Sequence, residues 1–370
     1  MTRGPVLAAG TYDLEAHPRM RVLIEGLTAR GYPVEEIVEP LRLNTAERVE
    51  VLRHPSRLPQ LGRALWRSWL RLGPRLARRR RRTPRPSAVV VGHLGHFDVS
   101  LVRLLTRPVP VVLDYLISGA GTATDRGERG SVKQIVLRGL DTWALRHADL
   151  VLVDTQEHLD ALPERFRDRA MVVPVSADRR WFDAGGRRTP PAGDAPLSVV
   201  FFGLFTPLQG APVIARALRE LDGLVQATLI GTGQEEPEVE VLLASVPGVR
   251  RLTWVPGDDL PDLVAAHDVC LGVFGLGDKA SRVVPNKAYQ GAAAGCVVVT
   301  SDTAPQRRAF GEHAVFVPPG DPVALAAVLR DLAADRSRVH EIATRSVQHA
   351  RESFSAAGAV EPLTTWMERA

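Results

Sequence analysis

Residues 274–302 read FGLGDKASRVVPNKAYQGAAAGCVVVTSD, and this stretch decides the fold class. An apolar strand ends near Val273, and a polar loop with Lys279 and Arg282 follows it. Pro285 then leads into a helix starting near Asn286, where the N–H that proline lacks has no helical acceptor anyway. Residues Ala292–Gly295 are small enough for that helix to lie tightly against the next strand, Val297–Ser301. A strand, loop, helix and strand in series, with unbroken apolar strands, is the unit of a parallel sheet buried on both faces.

The unit repeats outward in both directions. From residue 198 on, the strand candidates are Ser198–Gly203, Gln226–Gly231, Arg250–Val255, Val269–Val273, Val297–Ser301 and Ala314–Val317. Helical patterns lie near Ala211–Leu221, Glu236–Leu243, Asp259–Ala266, Asn286–Ala294 and Pro322–Ala334. Upstream, strands are read at Pro5–Ala9, Pro33–Val38, Ala88–Gly92, Val109–Asp114, Leu150–Asp154 and Met171–Pro174. WFDAGGRRTPPAGDAPL, residues 181–197, is rich in Gly and Pro without periodicity and reads as a linker. The expectation is an α/β protein of two doubly wound, Rossmann-like domains, residues 1–190 and 191–352. A C-terminal helix in 353–370 is expected to return to the first domain. Such sheets bind ligands at the carboxyl ends of their strands, which predicts a site in the cleft between two facing domains.

Composition narrows the class further. The 370 residues are 45% hydrophobic and 24% charged, as in an ordinary soluble globular protein, which excludes fibrous and disulfide-framework architectures. Cys270 and Cys296 each lie in an apolar run and read as buried thiols, suited to a reducing, cytoplasmic compartment. No apolar run approaches the ~20 residues of a spanning helix, and the N-terminus turns polar too early for a secretory signal. The net charge of +5 points to anionic partners. Arginine is the default cation, since only Lys133, Lys279 and Lys287 are lysines.

Residues 57–85, RLPQLGRALWRSWLRLGPRLARRRRRTPR, interrupt the first domain. Leu58, Leu61, Leu65, Trp69, Leu72 and Leu76 form one helical stripe, and Arg63, Arg67, Arg71 and Arg75 fall on another face. Gly73 and Pro74 are expected to end or kink this helix before Arg78–Arg82. One reading is a helix on the anionic inner face of a membrane, leucines and tryptophan down. The other is a core-packed helix with a solvated basic face. No nucleic-acid motif accompanies the arginines, so nucleic acid is not expected as a partner.

Glycine loops follow two strands of the second half. In FFGLFTPLQGAPVIARAL, Gly203 ends a strand and Gly210 precedes a helix, aiming N–H groups and the positive helix end at an anion such as a diphosphate. Gly231-Thr232-Gly233 is not a dinucleotide fingerprint, because Glu236 stands where a third glycine is needed. Lys287 and Arg282, near a helix start, are cations able to hold a diphosphate and its developing charge. No metal-ligand spacing, nucleophile elbow or phosphate-loop lysine motif occurs.

The ordered series G-x6-G, LIGTGQE, WVPGDDLPDLVAAHDVCLGVF, PNKAYQGAAAGCVVVTSD and AVFVPPGDPVALA resembles the donor half of GT-B glycosyltransferases, nearest to glycosyltransferase family 4. GTYDLEAHPRMRVLIEGLTARGY, VVVGHLGHFDV, VVLDYLISGAGTATDRG and HADLVLVDTQEHLDAL are similar to its acceptor-domain segments. The resemblance implies sugar transfer from a nucleotide diphosphate sugar to a hydroxyl acceptor, with retention, no metal and no further cofactor. The acceptor class stays open between a lipid-linked or surface glycan and a small hydrophobic metabolite. By position, Gly203, Thr206, Gln209 and Gly210 would form the diphosphate loop, with Arg282 and Lys287 as cations and Asn286 at the helix start. Trp254, Val255 and Pro256 would meet the nucleobase. Two family glutamates are replaced, by Arg282 and Gln290, and the usual loop lysine by Gln209. Gln290 keeps hydrogen-bonding capacity for ribose hydroxyls, whereas Arg282 reverses a charge.

On the acceptor side, His93, His96 and Asp98 cluster after strand Ala88–Gly92, and Asp114 ends the next strand. His96 or Asp114 is the expected group to orient or deprotonate an acceptor hydroxyl. Asp125 and Arg126 are further candidates for sugar or acceptor contacts. Two rival readings remain: a nucleotide-sugar epimerase of the same architecture, and a catalytically silent nucleotide-sugar-binding homologue.

Overall fold

The computed structural model describes residues 4–13, 17–41, 58–92, 95–116, 132–188 and 195–369. The chain divides into two compact units, Met1–Val173 with Val360–Ala370, and Pro174–Ala359.

Unit 1 holds β1 (Val6–Gly10), β2 (Val34–Val38), β3 (Ala88–Val91), β4 (Val111–Asp114), β5 (Leu150–Val153) and β6 (Ala170–Val172). They pair in parallel in the order β2-β1-β3-β4-β5-β6. Its helices include α1 (Pro18–Ala29), α2 (Leu58–Arg80), α3 (Asp98–Thr106), α4 (Val132–His147) and α5 (Gln156–Ala161). The Val- and Leu-rich strands are buried on both faces: α2, α3 and α4 share one core with the sheet, and α1 shares the other.

Unit 2 opens with α6 (Arg179–Arg187), followed by β7 (Leu197–Phe202), α7 (Ala211–Leu221), β8 (Val225–Ile230), α8 (Glu236–Leu243), β9 (Val249–Leu252), α9 (Leu260–Ala265) and β10 (Val269–Leu271). Then come α10 (Asn286–Ala293), β11 (Val297–Ser301), α11 (Ala304–Phe310), β12 (Val315–Val317), α12 (Pro322–Ala334), α13 (Arg336–Ser353) and α14 (Ala356–Ala359). The last helix, α15 (Glu361–Arg369), belongs to unit 1, where Val360 and Leu363 enter the same core as α1. The second sheet is also parallel, in the order β12-β11-β10-β7-β8-β9.

Three departures from the sequence reading have local causes. The start of the expected linker is helical and the unit boundary falls after Val173, not near residue 190. Asp178 caps α6 by accepting from the Arg180 N–H (3.1 Å), and Trp181 stacks on Phe202 at 5.7 Å, binding the helix to unit 2. Helix α2 runs through Gly73 and Pro74 to Arg80, because Leu72 and Leu76 are wholly buried on either side. The carbonyl that Pro74 leaves without its helical donor, on Leu70, belongs to an exposed residue, where solvent is accessible. Helix α13 went unread because its polar composition hides a stripe of Val339, Ile342, Ala343, Ser346 and Ala350 packed toward α10 and β11.

Candidate active site

In each sheet the strand order reverses direction once, between β1 and β3 in unit 1 and between β7 and β10 in unit 2. Loops leaving adjacent strands on opposite sides open a crevice there, the usual ligand position in such sheets.

In unit 2 the loop after β7 carries Gly203, Thr206, Gln209 and Gly210, and the loop after β10 runs to α10. The two meet directly, since the Phe274 N–H donates to the Gln209 carbonyl at 3.0 Å. Gly210 has φ +68°, and a Cβ there would stand 2.6 Å from the Phe274 carbonyl carbon. A side chain would force the loops apart. The Thr206 carbonyl closes the turn by accepting from the N–H groups of Gln209 (2.8 Å) and Gly210 (3.3 Å).

Lys287 projects from the first turn of α10 into this loop. Its Nζ donates to Gln209 Oε1 at 2.6 Å and lies 3.6 Å from the centroid of the Phe201 ring. A Cβ on Gly203, which has φ +140°, would come 3.0 Å from that Nζ, so glycine leaves the ammonium its space. Lys287 is 5% exposed, and burial pulls its pKa down to about 7. Gln290 is buried one turn further along α10, and Asn286 is half-buried at its start. Arg282 is half-exposed and paired with Asp278 at 2.8 Å.

At the start of helix α7 the Ala211 N–H faces the Glu235 carboxylate and opposes the rise in its pKa that burial causes, Pro212 has no N–H, and Val213 and Ile214 donate to the Gly210 carbonyl. Nothing in the spacing of Glu235 announced this contact, which arises where the loop after β8 folds over α7. The cation of the site therefore comes from α10. Trp254 is 73% exposed in the loop after β9, with Pro256 exposed and Val255 half-buried, so Trp254 is not a core residue.

In unit 1, Asp98 stitches the switch point together. Its Oδ2 accepts from the N–H (2.8 Å) and Oγ1 (2.9 Å) of Thr11, and its Oδ1 from Trp69 Nε1 (2.7 Å). These bonds assign Asp98 to joining β1, α2 and α3 rather than to an acceptor. Asp114 is wholly buried and paired with Arg19, whose Nε lies 3.2 Å from Oδ1. Burial raises its pKa and Arg19 opposes the rise. That environment makes Asp114 half of a buried ion pair. His96 Nε2 lies 3.1 Å from Asp141 Oδ1, both side chains nearly buried, and its ring packs on Tyr115. Arg19 and Asp141 escaped the sequence reading because each sits inside a helix, remote from the strand ends where ligands gather. His93, Asp125 and Arg126 lie outside the described residues. Among the described residues no cluster of His, Cys, Asp or Glu is arranged to hold a metal, and both cysteines are free and buried.

The fold, with a switch point in each sheet, is that of the GT-B glycosyltransferases. Sucrose-phosphate synthase from Thermosynechococcus elongatus superposes with a TM-score of 0.71 at 15% identity, over 99% of both chains. Anabaena HepE in complex with UDP-glucose gives 0.68 at 14% identity over 100% of both chains. Trehalose-6-phosphate synthase OtsA gives 0.67 at 13% over 99% of both. Residues 196–335 match the family described as glycosyl transferases group 1. The chain therefore has the GT-B fold, with a domain of that group's type in its second half. No curated protein sequence matches it.

Proposed function

We propose that the chain transfers a glycosyl group from a nucleoside diphosphate sugar to a hydroxyl acceptor, with retention and without a metal, in the manner of glycosyltransferase family 4. The observation that carries this reading is the buried Lys287 ammonium held against Gln209 and Gly203 at the switch point of unit 2. A compact cation in a low-dielectric loop meets the diphosphate charge as the anomeric C–O bond breaks. The acceptor oxygen bonds to the anomeric carbon, and its proton passes to the departing diphosphate. In this reading Gly203, Thr206, Gln209 and Gly210 shape the diphosphate loop, Asn286 and the start of α10 complete it, and Gln290 takes ribose hydroxyls. Trp254, Val255 and Pro256 take the base, and His96 with Asp141 orients the acceptor hydroxyl. HepE was crystallised with UDP and with UDP-glucose, which makes UDP the first nucleotide to try.

Calorimetric titration with UDP, GDP and ADP in EDTA tests the reading. One nucleoside diphosphate is expected to bind, and binding of none to the folded protein overturns the donor site. Binding is also expected to depend on pH. A Lys287 pKa near 7 means the free site is protonated below that pH and must gain a proton to bind above it. Affinity for the diphosphate should therefore fall by up to about tenfold per pH unit above neutrality. Calorimetry in buffers of different ionisation enthalpy should show proton uptake, and a flat profile removes Lys287 from the site.

The charge reversal at Arg282, paired with Asp278, favours one second reading, a binder of nucleotide-sugar that performs no transfer. Donor turnover separates the two: the silent homologue binds and does nothing, the transferase needs an acceptor, and an epimerase isomerises the donor alone.

A further inference from the structure

The leucine stripe of α2 does not face outward. Leu61 and Leu65 are buried, Leu72 and Leu76 are fully enclosed, and Trp69 hydrogen-bonds Asp98. A membrane face built on that stripe is excluded. What α2 does expose is Trp66 (61%) and Leu70 (54%), one turn apart and beside the lane of Arg63, Arg67, Arg71 and Arg78.

This lane continues across neighbouring helices. Helices α2, α3 and α4 pack side by side on the same face of the unit 1 sheet. Among the described residues of unit 1, every exposed large hydrophobic lies on these three helices: Trp66, Leu70, Leu104, Ile135, Val136 and Trp143. The same helices expose no carboxylate, since their only acids, Asp98 and Asp141, are buried. Glu39, Glu35 and Asp149 from adjoining segments pair with Arg75, Arg79 and Arg103. Arg67, Arg71, Arg78, Arg138 and Arg146 have no carboxylate partner among the described residues and stand exposed. On the opposite side of the sheet, α1 and α15 carry Glu25, Glu361 and Glu368. The asymmetry belongs to one face.

We propose that the α2–α3–α4 layer docks unit 1 on an anionic phospholipid surface, with Trp66, Leu70, Leu104 and Trp143 entering the headgroup–acyl boundary and the unpaired arginines at the phosphates. A bilayer satisfies both halves of this face at once, giving apolar depth to the tryptophans and leucines and anions to the guanidiniums. Nucleic acid offers the phosphates but no place for exposed Leu, Ile and Val side chains. The apolar residues are spread over three helices instead of lining a groove, which suits a broad surface better than a peptide. No helix among the described residues is long and apolar enough to cross a membrane, so the contact is peripheral.

Co-sedimentation of the full chain with phosphatidylcholine vesicles, with and without a phosphatidylglycerol fraction, tests this. Binding is expected only to the anionic vesicles and to weaken with salt. At roughly fivefold per arginine, R67Q/R71Q/R78Q should lower the partition coefficient by about a hundredfold. W66S/L70S should weaken it as well, with the far-ultraviolet spectrum and melting temperature of both variants unchanged. Brominated acyl chains should quench tryptophan fluorescence in the wild type, and less so in W66F/W143F. The proposal is overturned if the wild type sediments with neither vesicle, if the variants bind as wild type does, or if RNA binds equally well without acyl-chain quenching. Nucleoside diphosphate binding, read separately by calorimetry, should be the same in all variants.

Discussion

Lys287→Met is expected to remove most nucleoside diphosphate binding while leaving the fold more stable at acid pH. A hydrogen bond to a charged group is worth about 1.5–3 kcal/mol, so affinity should fall by about ten- to hundredfold. The stability gain follows from the same burial. The Lys287 pKa falls from an ordinary 10.5 to about 7 in the folded chain, so the native state binds fewer protons than the unfolded state between those values. Wild-type stability therefore rises with pH through that window, and the cost of burying the ammonium is fully present below it. Methionine fills similar space beside Phe201 without that charge. Calorimetry and thermal unfolding of both proteins at acid and alkaline pH check the result. Unchanged affinity removes Lys287 from the site, and a variant that melts lower at acid pH contradicts the burial argument.

The second large effect is expected in unit 1. Arg19→Ala strips the partner from Asp114, whose side chain is wholly buried at the end of β4. Removing one member of a buried pair typically costs about 3–5 kcal/mol, because the remaining charge is left uncompensated in low dielectric. Asp114→Asn in the same chain should recover much of the loss. Without Arg19 the carboxyl would titrate higher still, so the penalty should shrink as acid protonates it and return as pH rises through that raised pKa. Urea unfolding of wild type, single and double variants measures this. A single variant that loses under ~1 kcal/mol, the range of an exposed pair, would show that the ion pair contributes little to stability.

Much of the fold was legible because a parallel sheet buries both faces of its strands. Runs such as AVVV at Ala88–Val91 and LVLV at Leu150–Val153 have no other stable setting, and all twelve strands read from the sequence are present with ends shifted by up to three residues. Helices with a clear apolar stripe or a proline start were legible for the same reason, α7 and α12 among them. Helix α13 was not, because its buried face is made partly of alanine and serine, which carry little hydropathy signal. Helix α6 was not, because two glycines and several arginines resemble a loop until Trp181 finds Phe202.

The site divides in the same way. The Gly203–Gly210 loop and Lys287 could be picked out by their places beside a strand end and a helix start, which follow from local chain order. Their contact could not, since Gln209 and Lys287 lie 78 residues apart and meet only through strand order β10-β7. Glu235 on the N-terminus of α7, Asp141 beside His96 and Arg19 on Asp114 are likewise products of packing. The basic segment shows the limit most plainly. Its sequence determined an amphipathic helix rich in arginine. Only the tertiary structure decided that the leucine stripe turns inward and that Trp66 and Leu70 turn outward. Periodicity defines the faces of a helix, and burial against neighbours defines which face meets the core.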